Sequence, residues 1–201
     1  MKTITLVGAG GKMGYRLTDN FLKLDTYDVK YLEVSVQGCE NLGKKGISVS
    51  HQMEVVPDSD VVILAIPDTS IKEISEEIVP MMKRDALVMT LDPAAPLDGM
   101  IAHRDDLGYV IAHPCHPSVF NWEPTEEAFW DFYGGVTAKQ SIVVALMHGS
   151  EAHYQLGEQV AQDMYGPIKD TYRITLEQMA ILEPAMVETL AQTCMEVVKE
   201  G

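Results

Sequence analysis

The stretch Thr3-Ile4-Thr5-Leu6-Val7-Gly8-Ala9-Gly10-Gly11-Lys12-Met13-Gly14 decides how this chain folds. The short β-branched run from Thr3 to Val7 stops at glycines. From Lys12 to Leu24 the spacing turns helical, with Met13, Leu17, Phe21 and Leu24 on one stripe. Glycines between a strand and a helix let the backbone turn tightly and approach a pyrophosphate, whose charge then sits against the helix N-terminus. The pattern departs from G-x-G-x-x-G, because Met13 holds the third glycine's place and Gly14 follows one later. It also reads as G-x-x-G-x-x-G through Gly8, Gly11 and Gly14. Gly8, Gly10, Gly11, Lys12, Met13 and Gly14 are therefore the candidate dinucleotide-binding residues. The plainer alternative is a glycine turn without a ligand.

Working outward, Val29 to Ser35 reads as a second strand whose end carries Glu33, 19 residues beyond Gly14. An acid at that distance accepts hydrogen bonds from ribose hydroxyls and repels a 2′-phosphate. No arginine lies between Glu33 and Lys44 to attract one. The expected cofactor is NAD rather than NADP, against the alternative that Glu33 is a solvated strand end.

The strand and helix alternation continues to about residue 148. Gly46 to Ser50 is a weak strand candidate. Asp60 to Ile66 is apolar nearly throughout, as a parallel strand covered on both faces should be. Thr69 to Met82 reads as a helix with Thr69 or Ser70 as its cap. Ala86 to Leu91, Tyr109 to Ala112 and Ser141 to Met147 read as strands, and about Ser150 to Tyr165 as a helix. This order implies an α/β fold, a doubly wound Rossmann-type parallel sheet with right-handed crossovers. From Thr175 to Lys199 the pattern is helical only. Leu176, Met179, Leu182, Met186, Leu190 and Val197 share an apolar face, with Pro184 as a kink or break. The expected division is an NAD-binding domain over 1–165 and a helical segment over 166–201.

Composition narrows the partners. Of 201 residues, 46% are hydrophobic and 22% charged, which is globular composition and excludes long disorder and disulfide scaffolds. Fifteen basic against 30 acidic residues leave a net charge of −15, which argues against nucleic acid and anionic membrane surfaces. Cys39, Cys115 and Cys194 are odd in number and far apart, as expected of a reducing compartment. No apolar run is long enough to span a membrane, and no signal-peptide core follows Met1. The expected location is cytoplasmic. The apolar face of the last helix has little sheet beneath it, so a homodimer through that helix is expected.

In an open parallel sheet, ligands sit beyond the carboxyl ends of the strands. Ile66-Pro67-Asp68 and Asp92-Pro93-Ala94-Ala95 read as cofactor-lining turns or as plain strand terminators. His113-Pro114-Cys115-His116-Pro117 is denser in chemistry. Residues before proline avoid the helical region, so both histidines should be extended or in turns. If the segment stays extended, His113 and Cys115 point one way and His116 the other. Three roles compete: a histidine as general base toward a hydroxyl, Cys115 as a thioester-forming nucleophile, or a metal site. The last has no standard spacing, and no metal is expected. Glu183 on the terminal helix is a further acid–base candidate.

These motifs together resemble the 6-phosphogluconate dehydrogenase-like superfamily, which includes 3-hydroxyisobutyrate and prephenate dehydrogenases and ketol-acid reductoisomerase. The residues that carry the likeness are Gly8 to Gly14, Asp60 to Asp68, and His113-Pro114. A closer likeness is to the bacterial D-apionate oxidoisomerase group, through Gly8 to Gly14, Ala112 to Pro117 and Gly134-Gly135-Val136. That resemblance covers nearly the whole chain. It implies oxidation of a small branched hydroxy acid with NAD, coupled to rearrangement of its carbon skeleton. His113 or His116 would then act on the substrate hydroxyl, with Glu183 beside them. The group also implies an all-helical second domain that dimerises and completes the site. The chain stops near the end of what would be its first long helix, so that domain is expected to be truncated or reduced. The rival reading is a dinucleotide-binding module without catalysis.

Overall fold

The structure is a computed structural model and describes residues 1–117 and 122–200. Seven strands form one sheet in the order β2-β1-β3-β4-β5-β6-β7: Lys2–Val7, Tyr27–Leu32, Val61–Leu64, Leu87–Thr90, Gly108–Cys115, Gln140–His148 and Ile168–Arg173 for β1 to β7. The helices are α1 Lys12–Phe21, α2 Val36–Lys44, α3 Gln52–Val55, α4 Asp68–Ile78, α5 Ala94–Leu97, α6 Glu126–Trp130, α7 Glu151–Tyr165, α8 Leu176–Glu183 and α9 Gln192–Glu200. Strands β1 to β5 run parallel, β6 is antiparallel to β5, and β7 is parallel to β6. The chain reverses direction across the sheet at β1, which has β2 on one side and β3 on the other. That opens a crevice where their carboxyl ends diverge.

Both sheet faces are buried, which is why β3 and β4 read as unbroken apolar runs. Ile4, Leu6, Ile63, Met89 and Val110 pack on one face with Leu17 and Phe21 of α1 and Val160 and Met164 of α7. Val62, Leu64 and Val88 pack on the other with Ile71 and Ile78 of α4. Helix α7 is started by a capping box, in which Ser150 and His153 satisfy each other's backbone N–H.

Four local expectations are corrected. Gly46 to Ser50 is not a strand; residues 47–50 have no regular structure, and the crossover from β2 to β3 uses α2 instead. Helix α2 was obscured by Gly38 and Gly43, both poor helix formers, but Ser35 caps it by accepting the Gly38 N–H at 3.0 Å. Helix α4 begins at Asp68 behind Pro67 and has no side-chain cap, so neither Thr69 nor Ser70 serves. The sheet also runs past the expected boundary at residue 165, because Ile168–Arg173 adds strand β7. That strand is polar and mostly exposed, as an edge strand is, and so gave no apolar signal.

After β7, Thr175 and Gln178 form a second capping box and open α8. Pro184 lacks an N–H, and the helix accommodates it by widening to a π-helical segment over Pro184–Ala191 before α9. Only the first turns dock: Met179 is buried and Leu176 packs with it on Ile111 and Ala145 of the sheet. Ile181, Leu182, Met186, Leu190, Val197 and Val198 are exposed.

Candidate active site

The glycine loop follows β1 at the crevice. Gly8 has φ +76°, and a Cβ there would lie 2.5 Å from the Ala65 carbonyl oxygen, so only glycine fits. A Cβ on Gly14 would lie 2.1 Å from the Gly8 carbonyl oxygen. Gly14 therefore does the work of the motif's third glycine, letting α1 press against the loop. The one-residue offset noted in the sequence is absorbed there. Gly11 starts α1 without a side-chain cap, and no acid lies in the first turn. Its first-turn N–H donors and the positive end of the helix suit a diphosphate.

Glu33 closes the other side. Its Oε1 accepts from the Val34 and Ser35 N–H groups and the Ser35 hydroxyl, each at 2.9 Å. Its Oε2 accepts from the Gly10 N–H at 3.0 Å. Partial burial pushes this carboxyl up, but the bonds from Ser35, Val34 and Gly10 outweigh that and hold it below its ordinary value. Gly8, Gly11, Glu33, Ile66 and Pro67 meet in one cleft of about 650 Å³. Among the described residues no lysine or arginine lines it, while Glu33 and Glu77 do. That lining fits a 2′-hydroxyl and opposes a 2′-phosphate. Val34, Ser35, Ser70 and Ile74 also line this cleft and were missed in the sequence.

The remaining expected cofactor residues are not among those that line this cleft. Gly10 and Gly14 hold the loop's shape, and Lys12 is exposed at the start of α1. Met13 lines a second cavity of about 280 Å³ with Arg16, Pro114, Gly135 and Tyr165. Asp68 faces Asp92 across the ends of β3 and β4. Burial first, then the charge and hydrogen bond of Asp92, raise its carboxyl above the ordinary value.

Strand β5 stays extended through Cys115, so alternation holds and the two histidines part. His113 Nδ1 lies 2.8 Å from the Leu91 carbonyl oxygen, just past β4. A carbonyl only accepts, so Nδ1 carries the proton and Nε2 is the basic nitrogen of the neutral ring. His116 repeats the arrangement with the Tyr133 carbonyl, also at 2.8 Å. Around it lies a group the sequence did not reveal. Arg16 of α1 donates to the Gly134 carbonyl at 2.6 Å and sits 5.4 Å from the centre of the Tyr133 ring, which meets the His116 ring edge-on. The 131–138 turn behind it is built on Asp131, whose carboxylate accepts from the N–H groups of Val136, Thr137 and Ala138. Burial raises the Cys115 thiol, so it is protonated near neutrality and is a poor nucleophile. Glu183 ends α8, and its side chain lies outside the described residues. Asn121 also lies outside them, and Trp122 is exposed.

Residues 3–99 match the NAD-binding domain of 6-phosphogluconate dehydrogenase, and residues 121–201 match the C-terminal part of decarboxylating phosphogluconate dehydrogenase. A D-apionate oxidoisomerase from Cupriavidus necator is 48% identical over 98% of this chain and 72% of its own length. The chain belongs to the D-apionate oxidoisomerase family. A second family member, from Pectobacterium atrosepticum, is 46% identical over 100% of this chain and 70% of its own. A solved structure described as a semialdehyde dehydrogenase NAD-binding protein from Cupriavidus necator, in complex with calcium and NAD, has a TM-score of 0.95 at 47% identity. It is covered to 72% by the whole of this chain. The chain is thus an NAD-binding oxidoreductase with a Rossmann-type sheet, and among the described residues no helix is long and apolar enough to cross a membrane.

Proposed function

We propose that this chain oxidises a small branched hydroxy acid with NAD and rearranges its carbon skeleton, a reading supported by the name D-apionate oxidoisomerase that its relatives carry. The observation that carries the proposal is the His113–Leu91 hydrogen bond, which fixes the ring tautomer and leaves Nε2 as the unprotonated nitrogen near the carboxyl end of β5. NAD, when bound, supplies the hydride acceptor, and Gly8, Gly11 and Glu33 are the residues that hold it. His113 takes the hydroxyl proton as the carbinol C–H leaves with its electron pair, and a ketone forms. If the neighbouring carbon bears a hydroxyl, that group loses its proton as one carbon substituent moves with its bonding pair from that carbon to the first carbonyl carbon. The ketone is thereby transferred to the neighbouring carbon, and the first carbonyl oxygen takes up a proton to become an alcohol. The shift is redox-neutral and needs only proton transfer. His116, with Arg16 beside it, is assigned to the substrate carboxylate, and Glu183 remains a candidate for the second proton transfer.

NADH formation tests this reading, monitored by absorbance across branched and linear sugar acids. Turnover of a branched acid that collapses in His113→Ala supports it. No turnover of any hydroxy acid, or an indifferent His113→Ala, argues for a cofactor-binding module. We also propose a cytoplasmic location, supported by three free cysteines.

The helical segment after β7 is proposed as the start of a substrate and dimerisation domain. Its occupant is a second copy of this chain, supported by the exposed Leu182, Met186, Leu190 and Val197. Light scattering should give twice the monomer mass, reduced to one by Leu182→Glu with Leu190→Glu; a monomeric native chain overturns it.

A further inference from the structure

The opposite end of the sheet carries a second constellation. Strands β1, β3, β4 and β5 run parallel, so the segment leading into β5 lies at the edge away from the glycine loop. Strand β6 runs back along β5 and returns His148 to that same edge, opposite Tyr109. There His103 Nε2 lies 3.1 Å from Asp105 Oδ1, and His148 Nε2 lies 3.3 Å from the Asp105 carbonyl oxygen. One nitrogen of each imidazole and one carboxylate oxygen of Asp105 fall within 4.8 Å of one another.

The backbone beneath is fixed through Ala102, Arg104 and Asp106, while His103 and Asp105 are exposed. The Tyr109 hydroxyl accepts the Arg104 N–H at 2.9 Å and donates to the Ala102 carbonyl at 3.1 Å. The Arg104 side chain grips both carboxylate oxygens of Asp106 and also donates to the Val79 and Met82 carbonyls. His103 stacks on Tyr109, with ring centres 5.2 Å apart, and meets His148 edge-on at 4.7 Å. A register shift in the β5–β6 ladder falls between Tyr109 and Val110, at the point where His148 is aimed.

We propose that His103, Asp105 and His148 bind a divalent transition ion of the zinc class, away from the NAD site. Two imidazoles and one carboxylate match zinc and its neighbours, whereas calcium takes oxygen ligands. Ligand atoms around a tetrahedral zinc lie about 3.3 Å apart. Rotation of the Asp105 side chain, 96% exposed, supplies the remaining closure. The fourth position is left to water. The bound ion would tie the 102–106 loop to the end of β6 and stabilise the fold in proportion to its occupancy.

Zinc chloride titrated into the full chain against a chromophoric chelator tests this. One equivalent should bind, and Asp105→Asn or His148→Ala should weaken it by at least about ten-fold, since even outer-shell partners are worth that much. Asp105→Asn is the safer variant because its side chain is solvated, and an unchanged metal-free melting curve confirms its fold. Cobalt should bind without a thiolate charge-transfer band, Cys115→Ser should bind normally, and calcium should not compete. NADH formation by Asp105→Asn should equal that of the native chain. Native zinc affinity in Asp105→Asn and His148→Ala, loss of zinc in Cys115→Ser, or displacement by calcium would each overturn the site.

Discussion

Glu33 accepts the Gly10 N–H at 3.0 Å, so the acid proposed to face the ribose also holds the loop proposed to face the pyrophosphate. The two halves of the dinucleotide site are thereby one hydrogen-bonded unit. Glu33→Gln should weaken NAD binding and reduce its preference over NADP. Calorimetry with both cofactors checks this, and unchanged affinities would separate Glu33 from cofactor choice.

The same carboxyl makes stability depend on pH. Its folded value lies below the ordinary 4.5, so its contribution is present above that value and is lost as pH falls through the folded value. Urea midpoints of the native chain and Glu33→Gln should differ at pH 7 and converge in acid.

Asp68 has the opposite sign. Its folded value is raised by burial and by Asp92, so ionisation opposes folding as pH rises. Asp92→Asn should relieve this, bringing the Asp68 titration seen by carbon NMR down toward the ordinary 3.8. A titration that stays put would mean that burial alone raises Asp68.

His113→Ala should lower turnover by about two to four orders of magnitude, the usual worth of a general base, with little change in NAD affinity. Cys115→Ser should keep most of the activity, because oxidation of an alcohol to a ketone needs no covalent intermediate. Steady-state kinetics of both variants decides between a histidine base and a thioester-forming cysteine.

Gly14→Ala places a methyl group 2.1 Å from the Gly8 carbonyl oxygen. Overpacking of that kind costs about 1–3 kcal/mol and should also push the loop out of shape for NAD. Thermal melting and NAD calorimetry should both register it, whereas Gly43→Ala, with nothing within 4 Å, should leave NAD binding intact.

The elements that the sequence made legible are those whose burial is one-sided or complete. Strands β3 and β4 showed as apolar runs, and α1 and α7 as stripes, because each packs on the sheet. Helix α2 and strand β7 did not show. The first contains two glycines, and the second lies at a polar edge, so tertiary contacts fix both. In the site, residue types and strand ends were readable, as was the parting of His113 from His116. The partners were not. The Leu91 and Tyr133 carbonyls that set the two tautomers are backbone groups, which leave no mark in residue type. Arg16 was hidden for another reason: it reaches Gly134 across 118 positions of chain.

The amide of Asn20 reaches the carbonyls of Met164, Gly166 and Gly135 at 2.9, 3.2 and 3.4 Å, and Arg16 reaches Gly134 from the same helix. Helix α1 is therefore fastened by parts of the sheet domain that leave the ribosome more than 100 residues after it. A nascent chain that has emerged only through residue 99 contains the entire glycine loop, yet β5 is missing and Met89 and Val88 lie at an open edge. Closing such distant contacts comes late and carries the entropy of a long loop. The glycine loop is thus translated well before the contacts that fasten α1 behind it can form.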